Sequence, residues 1–169
     1  MLPWPAPPLA DDVVTLRPWR ADDESAKLAA FADPTFQRFS DWEPDDLATQ
    51  EQLRVRGEQI QFALVDAADA VLGGASLFGF VEGRAGVGYW LVPAARGRGV
   101  ATRAVRLLAR WAFDSLGVVR LELTCGPDNV ASQRVAERCG FTREGVMRAH
   151  LPFKGGRRDT VLYSLLPDD

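Results

Sequence analysis

The stretch that decides the fold runs from residue 86 to residue 117 and reads GVGYWLVPAARGRGVATRAVRLLARWAFDSLG. Residues 86–92 form an apolar run that predicts a buried strand, and Pro93 stops further pairing. Over residues 99–116 the apolar side chains recur at intervals of three and four, which is the period of an amphipathic helix, and Gly117 is a natural stop. A strand, a glycine loop and a long helix therefore follow one another directly.

Strand and helix patterns extend on both sides of this unit. Runs rich in β-branched and aromatic residues predict further strands at residues 13–17, 61–65, 71–81, 118–124, 141–148 and 160–166. Further helices are predicted after Asp22 or Asp23, from residues 45–46 to 57, and from residue 129 to 139. Asp33-Pro34 is expected to interrupt the first helix pattern, and Gly73-Gly74 is a candidate bulge.

The order of these elements is β-α-α-β-β-β-α-β-α-β-β, which indicates an α+β domain with a mixed, mostly antiparallel sheet flanked by helices. A strand, a long helix and a second strand in succession favour a parallel pair with a right-handed crossover. We expect one domain over residues 1–169, with an extended N-terminal arm at residues 1–11, because 169 residues are enough to bury one core. Hydrophobic residues at 47% and charged residues at 25% are typical of a globular protein.

Histidine and cysteine usage excludes several kinds of site. His150 is the single histidine, so no histidine-rich metal centre can form, and we expect no metal. Cys125 and Cys139 lack the spacing of a zinc ribbon or a thioredoxin-type pair. The N-terminus has no signal-peptide pattern, and no apolar stretch approaches the roughly 20 residues needed to cross a bilayer. We therefore expect a cytoplasmic protein with no membrane partner.

Charge is unevenly distributed along the chain. The formal net charge is −3, with acids in excess over residues 1–69 and bases in excess over residues 70–169. Five arginines with no acid among them follow the apolar strand, at Arg96, Arg98, Arg103, Arg106 and Arg110. This segment attracts an anion locally, whereas the acidic chain as a whole is a poor candidate for nucleic-acid binding.

The segment from Arg96 to Thr102 reads RGRGVAT and lies between the predicted strand and the long helix. The first turn of a helix leaves backbone N–H groups unpaired, and glycines let a phosphate approach them, so this arrangement forms an anion site. No Gly-Lys-Ser/Thr is present, which excludes a Walker A loop. Thr102 stands where a dinucleotide fingerprint needs its third glycine. A nucleotide-binding domain that uses Gly97 and Gly99 stays open as an alternative function.

Two signatures resemble those of one enzyme superfamily. The first is R-x-x-G-x-A, from Arg96 to Ala101, preceded by LVP and followed by the amphipathic helix. The second is an N-x-x-S helix that begins at Asn129 and ends in Gly-Phe at residues 140–141. Together with GYWL at residues 88–91 and a closing DTVLY segment, they resemble the RimJ/RimL-like branch of the GNAT superfamily of N-acetyltransferases, over nearly the whole chain.

The resemblance implies that acetyl-coenzyme A (acetyl-CoA) is the co-substrate and that its acetyl group passes directly to a primary amine in a ternary complex, without a metal. In such enzymes the strands before and after the long helix splay apart and hold the pantetheine arm, and the loop N–H groups hold the pyrophosphate. The residues that the resemblance assigns to acetyl-CoA are Leu91, Val92, Arg96, Gly97, Arg98, Gly99, Val100, Ala101, Thr102, Asn129 and Ser132. Ser132 is also expected to protonate or hydrogen-bond the departing thiolate.

The catalytic base is where the chain departs from the proteins that it resembles. Many RimJ/RimL-like proteins carry an acid two positions before the GYW segment, where this chain has Gly86. Glu82 is the candidate substitute, and Glu43, Glu122 or a water relay are the alternatives. Trp42 and Glu43 fall in the region that lines the acceptor pocket of related enzymes, so both are candidate substrate-binding residues.

The sequence leaves two kinds of acceptor amine, a protein N-terminus and a small molecule. An α-amino group, with a pKa of about 7.7–8.0, needs less help from a base than a lysine amine with a pKa near about 10.4, so a weak base favours an N-terminal substrate. Another acyl group such as succinyl, and a non-catalytic module that senses acyl-CoA, are alternative functions. Related enzymes are often dimers, so a homodimer is one possible assembly.

Overall fold

One eight-stranded sheet organises the chain, and the computed structural model describes residues 1–169 throughout. Its strands are β1 (Leu9–Ala10), β2 (Thr15–Arg17), β3 (Gln59–Val65), β4 (Val71–Val81), β5 (Arg84–Leu91), β6 (Arg120–Cys125), β7 (Thr142–Phe153) and β8 (Gly156–Leu165). The helices are α1 (Glu24–Phe31), α2 (Pro34–Phe39), α3 (Leu47–Arg56), α4 (Val100–Leu116) and α5 (Val130–Arg138). The strand order is β1-β2-β3-β4-β5-β6-β8-β7, with β5 and β6 as the one parallel pair. The predicted α+β class, with a mixed and mostly antiparallel sheet, is confirmed.

The first third of the chain contains one strand and one helix more than the predicted order. β1 lies within the segment predicted as an extended arm and pairs with β2. Asp33 and Pro34 begin a helix of their own, α2. The Asp33 carboxylate accepts the N–H of Phe36 at 3.1 Å, and Pro34 occupies the first turn, where its missing N–H is no loss.

The β7–β8 hairpin is longer than predicted and reaches the segment between α2 and α3. His150 lies within β7 rather than after it, with its Nδ1 2.8 Å from the Thr160 hydroxyl. At the hairpin end, the N–H of Lys154 donates to Asp41 at 3.1 Å, and Arg158 donates to the carbonyl of Phe39 at 2.6 Å. The hairpin therefore holds the segment that leads into Trp42 and Glu43.

Gly73 and Gly74 lie in regular register with β3, and the register shift falls one position earlier, at Leu72. The predicted bulge is therefore displaced by one residue. The two glycines allow β5 to approach closely, because a Cβ on Gly73 would stand 2.1 Å from the carbonyl oxygen of Trp90.

The two faces of the sheet carry different layers. In β3, Phe62 and Leu64 point to the face covered by α4, and Phe62 meets Trp111 of α4 edge-on with ring centroids 5.8 Å apart. Burying such a side chain contributes about 1.5–3 kcal/mol. Alternate residues, among them Gln61 and Ala63, point to the opposite face, on the side of α1 and α3. None of the five helices combines the length and the apolar character needed to span a bilayer.

β5 and β6 separate along their length. Their pairs are confined to Arg84–Arg120, Ala85–Leu121 and Gly86–Glu122. Further along, β5 is paired with β4 on one side only. The N–H of Val92 donates to β4 at 2.9 Å, and backbone groups alternate in direction along a strand, so those of Tyr89 and Leu91 face the opening. We call this opening, between residues 87–91 of β5 and the end of β6, the slot.

Candidate active site

The loop between β5 and α4 has the backbone shape of an anion site. Gly97 and Gly99 adopt φ angles of 70° and 77°, in the left-handed region. That region costs a residue with a side chain roughly 1–2 kcal/mol. A Cβ on either glycine would meet no atom within 4 Å, so the backbone conformation, not crowding, requires glycine here.

Six consecutive N–H groups in this loop, those of residues 97–102, donate to no protein acceptor. Their neighbours are paired, since the N–H of Arg96 donates to the Pro93 carbonyl at 3.2 Å and that of Arg103 to the Gly99 carbonyl at 3.1 Å. The free groups lie at the N-terminus of a 17-residue helix, whose dipole adds partial positive charge. We call these six groups the donor row, and its chemistry fits a phosphate or pyrophosphate.

Leu91 ends β5, and Val92 and Arg96, which are also predicted to contact acetyl-CoA, follow it in the chain. Leu91 presents its backbone to the slot, whereas the N–H of Val92 is already bonded within the sheet. The guanidinium of Arg96 donates to Asp33 at 2.7 Å, which lowers the pKa of that carboxyl, and to the Leu91 carbonyl at 3.2 Å. Arg96 therefore ties β5 to α2, while Arg98 is exposed and forms no ion pair.

Ser132 connects the two strands that border the slot. Its Oγ lies 2.9 Å from the hydroxyl of Tyr89 on β5. It also lies near Cys125 at the end of β6, where it opposes the rise that burial causes in the pKa of that thiol. The N–H of Ser132 donates to the side chain of Asn129 at 3.1 Å, so Asn129 caps α5 and fixes its first turn. Burial raises the pKa of Tyr89, so its phenol stays protonated. The structure thus brings the predicted residues Asn129 and Ser132 to the slot.

A pocket with an empty volume of about 460 Å³ lies on the opposite face of the sheet. Its side chains are aromatic, acidic or amide-bearing, together with one lysine. They include Trp19, Phe31, Trp42, Trp90, Glu43, Asp45, Gln59, Gln61 and Lys27. Both predicted substrate-binding residues, Trp42 and Glu43, are therefore part of one pocket.

Two glycines on neighbouring strands, Gly74 of β4 and Gly88 of β5, line the pocket. A Cβ on Gly88 would stand 3.5 Å from the hydroxyl of Ser76 and 3.9 Å from the Trp42 ring, so this glycine keeps the pocket open. A Cβ on Gly86 would stand 2.5 Å from the ring of Phe78, which packs edge-on against Trp42. The Phe78 ring therefore fills the space where the proteins that this chain resembles carry an acid.

The charged groups of the pocket differ in how far they are already paired. Asp45 accepts from Gln61 at 2.7 Å, and its carbonyl accepts from the buried amine of Lys27 at 2.7 Å. Lys27 is also paired with Glu24 at 3.1 Å. Glu43 has no hydrogen-bonding or ionic partner, so it is the carboxylate of the pocket that is free to meet an amine.

Residues 14–142 match the family described as the Acetyltransferase (GNAT) domain. The chain belongs to this GNAT acetyltransferase family. One relative, the probable N-acetyltransferase YjcK of Bacillus subtilis (strain 168), is 33% identical over 178 residues, which cover 95% of this chain and 98% of YjcK. The predicted resemblance is thereby confirmed, and the chain is an N-acetyltransferase of the GNAT type.

Two solved structures share the GNAT fold. RimJ of Mycobacterium smegmatis, in complex with CoA-disulfide, has a TM-score of 0.82 at 22% identity, with 92% of this chain and 82% of RimJ covered. RimL, a ribosomal L7/L12 alpha-N-protein acetyltransferase in complex with coenzyme A, has a TM-score of 0.82 at 21% identity, with 95% of this chain and 97% of RimL covered. At these identities both structures establish the fold alone.

Glu82, the predicted base of this GNAT enzyme, lies in the turn before β5. Its side chain is 84% exposed and its nearest cation is Arg84 at 3.9 Å. Leu91 lies at the other end of the strand, which spans roughly 23 Å from Arg84 to Leu91. The structure does not bring Glu82 together with the slot or the pocket.

Glu122, an alternative base, lies opposite Gly86 where β5 and β6 still pair. Its carboxylate is already bonded to Arg120 at 2.8 Å. Of the carboxylates weighed from the sequence, Glu43 alone both lines the pocket and has no protein partner.

Sequence reasoning missed the separate roles of Tyr89 and Trp90 in the GYWL segment of this GNAT chain. The two side chains point to opposite faces, Tyr89 toward Ser132 and Trp90 toward the pocket, where it stacks on Trp19 at 5.7 Å. Period-two alternation along a strand was the signal that could have separated them. Lys27 and Trp19 had no such signal, because tertiary packing of the first helix brings them to β4 and β5.

Proposed function

We propose that this GNAT acetyltransferase transfers the acetyl group of acetyl-CoA to the α-amine of a protein or peptide N-terminus, by direct attack within a ternary complex. The observation that carries the proposal is the slot, which connects the two faces of the sheet. The donor row and Ser132 belong to the side of α4 and α5, and the pocket with Glu43 belongs to the other side. This arrangement lets two substrates approach each other from opposite faces.

Acetyl-CoA fits groups that the fold leaves without partners. The donor row holds the pyrophosphate, and the N–H groups of Tyr89 and Leu91 on the open edge of β5 are available to the pantetheine arm. Acetyl-CoA supplies the acetyl group as a thioester, whose C–S bond breaks as the C–N bond forms. An N–H on this edge stabilises the negative charge that develops on the carbonyl oxygen during attack.

We infer an N-terminal amine as the acceptor because the pocket offers few groups that could act as a base. With Phe78 covering Gly86, Glu43 is the one free carboxylate of the pocket. At pH 7.5 roughly a third of an α-amine is neutral, against about 0.1% of a lysine amine. An exposed carboxylate is therefore sufficient for an N-terminal amine. RimL, which shares the fold, is itself an alpha-N-protein acetyltransferase.

The protons and charges of the transfer are assigned to two side chains. Glu43 accepts the proton that the attacking amine loses, directly or through a water. Ser132 donates a hydrogen bond to the departing thiolate, which then takes its proton from solvent. Because a serine hydroxyl is a weak acid, hydrogen bonding rather than full proton transfer is its role.

Thiol release from acetyl-CoA tests the acceptor assignment. Lysine-free peptides with a free N-terminus are compared with N-acetylated peptides of the same length that carry one lysine, and with small primary amines. We expect free N-termini to react at least about 10-fold faster than lysine peptides, from the difference in neutral amine. Turnover confined to small amines contradicts the assignment. Binding of acetyl-CoA without turnover of any amine supports the sensing module instead.

A homodimer and a cytoplasmic location remain predictions for this chain. A homodimer is tested by light scattering at several protein concentrations. A cytoplasmic location is tested by fractionation of cells that produce the chain. Neither changes the chemistry of the slot.

A further inference from the structure

Tyr89 is a half-buried residue for which the transfer described above gives no side-chain role. It stands on β5 beyond the point where β6 separates, with its ring packed against the main core. Its hydroxyl makes one hydrogen bond, to Ser132 at 2.9 Å. Burying a phenol costs free energy unless its hydroxyl is paired, so Ser132 is the group that satisfies Tyr89.

We propose that Tyr89 is a positioning residue, whose hydroxyl donates to Ser132 and so directs the proton of Ser132 toward the departing thiolate. The inference rests on the proposed role of Ser132 in stabilising that thiolate. It concerns only the direction of a hydrogen bond, and no proton leaves Tyr89.

The direction of the bond follows from the groups available. A serine hydroxyl carries one proton and two lone pairs and rotates freely unless a partner fixes it. Tyr89 stays protonated because its burial raises its pKa, so it is able to donate throughout the reaction. Once a lone pair of Ser132 is occupied, its single proton is left to point elsewhere. The cap by Asn129 fixes the backbone of the same residue, so Ser132 is held from two sides.

The other neighbour of Ser132 indicates where that proton points. Ser132 lies near the thiol of Cys125, at the end of β6 across the slot from Tyr89, and opposes the rise that burial causes in the pKa of that thiol. The hydroxyl therefore already lies beside a sulfur on the border of the slot. A donor on one side polarises an O–H toward an acceptor on the other, which strengthens the second hydrogen bond.

Tyr89→Phe tests the inference with a matched control. Tyr163 is fully buried, and its hydroxyl reaches Gln133 and Glu137 on the same helix at 3.4 and 3.3 Å without touching Ser132. We expect Tyr89→Phe to lower kcat about 10-fold, with the KM for acetyl-CoA within about 2-fold of wild type. Tyr163→Phe should leave kcat within about 2-fold of wild type. A normal kcat in Tyr89→Phe overturns the inference.

A double-mutant cycle separates this inference from the role of Ser132 itself. If Tyr89 acts through Ser132, adding Tyr89→Phe to Ser132→Ala lowers kcat by less than about 2-fold. Effects that multiply overturn the inference. If Ser132→Ala has a lowered kcat and Tyr89→Phe a normal one, only the inference about Tyr89 is overturned. If Ser132→Ala has a normal kcat, the role of Ser132 is overturned as well.

A spectroscopic test remains informative where Tyr89→Phe folds poorly. The chain has 2 tyrosines, so a Tyr163→Phe protein labelled with 3-fluorotyrosine reports on Tyr89 alone by fluorine NMR. We expect Ser132→Ala to shift this resonance because the hydrogen bond is lost. An unchanged resonance overturns the inference.

Discussion

Arg96 and Asp33 form an ion pair of 2.7 Å that links the end of β5 to the start of α2. The same carboxylate accepts the N–H of Phe36 at 3.1 Å, so Asp33 both caps α2 and holds the guanidinium. Arg96 in turn donates to the carbonyl of Leu91, whose backbone borders the slot. The pair therefore couples a helix on the pocket side to the strand that borders the slot.

Two substitutions at Asp33 separate its two contacts. Asp33→Ala removes both the cap and the ion pair, whereas Asp33→Asn keeps a side chain that caps well and removes the charge. We expect Asp33→Ala to lower the urea midpoint further than Asp33→Asn does. Equal midpoints contradict a contribution from the cap. Because Arg96 lowers the pKa of Asp33, the stability due to its charge is present above the ordinary pKa of 3.8 and is lost in acid. Asp33→Asn and wild type should therefore converge as the pH falls.

The donor row predicts a strong effect of charge at Gly99. Gly99→Asp places a carboxylate beside the six N–H groups of the donor row, where its negative charge repels a phosphate. We therefore expect calorimetry to show that the Kd for acetyl-CoA rises at least about 10-fold. Gly117→Asp is the matched control, since Gly117 ends the same helix with φ of 67° and an open surrounding. Both substitutions should cost roughly 1–2 kcal/mol of stability. An equal Kd in the two variants contradicts the donor row as the phosphate site.

Glu144 predicts a pH-dependent contribution to stability. Arg120 donates to both of its carboxylate oxygens at 2.7 Å and Ser164 to one at 2.5 Å, which together lower the pKa of Glu144 from 4.5 to about 2. A lowered pKa in the folded state stabilises it above about 4.5, and this stabilisation is lost as the pH falls from about 4.5 to about 2. The pair is partly exposed, so we expect less than about 1 kcal/mol.

Urea unfolding of Glu144→Gln between pH 2 and 7 checks this expectation. The difference in unfolding free energy from wild type should be constant near neutrality and should shrink in acid. Arg120→Gln removes the same pair from the other side. Its difference in unfolding free energy from wild type should also shrink in acid. A difference that does not vary with pH would rule out the Glu144 pairing as its source.

The backbone conformation of the loop between β5 and α4 could be predicted from the sequence because its parts are neighbours in the chain. Gly97 and Gly99 are needed for a local backbone conformation, and the free N–H groups follow from the start of any helix. The alternation and helical period on either side placed the loop between a strand and α4. Local rules were therefore sufficient for this half of the site.

The acceptor side could not be predicted in the same way because distant segments build it. A contact between Arg96 and a phosphate stays a prediction, whereas its ion pair with Asp33, far away in sequence, had no local signal. Phe78 fills the space over Gly86 only because β4 and β5 pair in one register. Such contacts are fixed by tertiary packing, which composition and spacing do not encode.

Glu43 and Glu82, the two candidates for the catalytic base, lie in different surroundings. Glu43 lines the pocket without a protein partner, whereas Glu82 lies in an exposed turn at the far end of β5. We expect Glu43→Gln to lower kcat/KM for a free N-terminus about 10-fold at pH 7, because roughly a tenth of an α-amine is neutral there without a base. The deficit should shrink above about pH 8, where the α-amine is increasingly neutral without help.

The pH–rate profiles of Glu43→Gln and Glu82→Gln decide between the two carboxylates. A loss of activity in Glu82→Gln that recovers at high pH, with a normal profile in Glu43→Gln, would return the base to the turn before β5. A deficit in Glu43→Gln that persists at every pH would mean that Glu43 binds the acceptor without taking its proton. If activity recovers at high pH in Glu43→Gln alone, Glu43 is the residue that removes the proton. Only a base becomes dispensable once its substrate is already neutral.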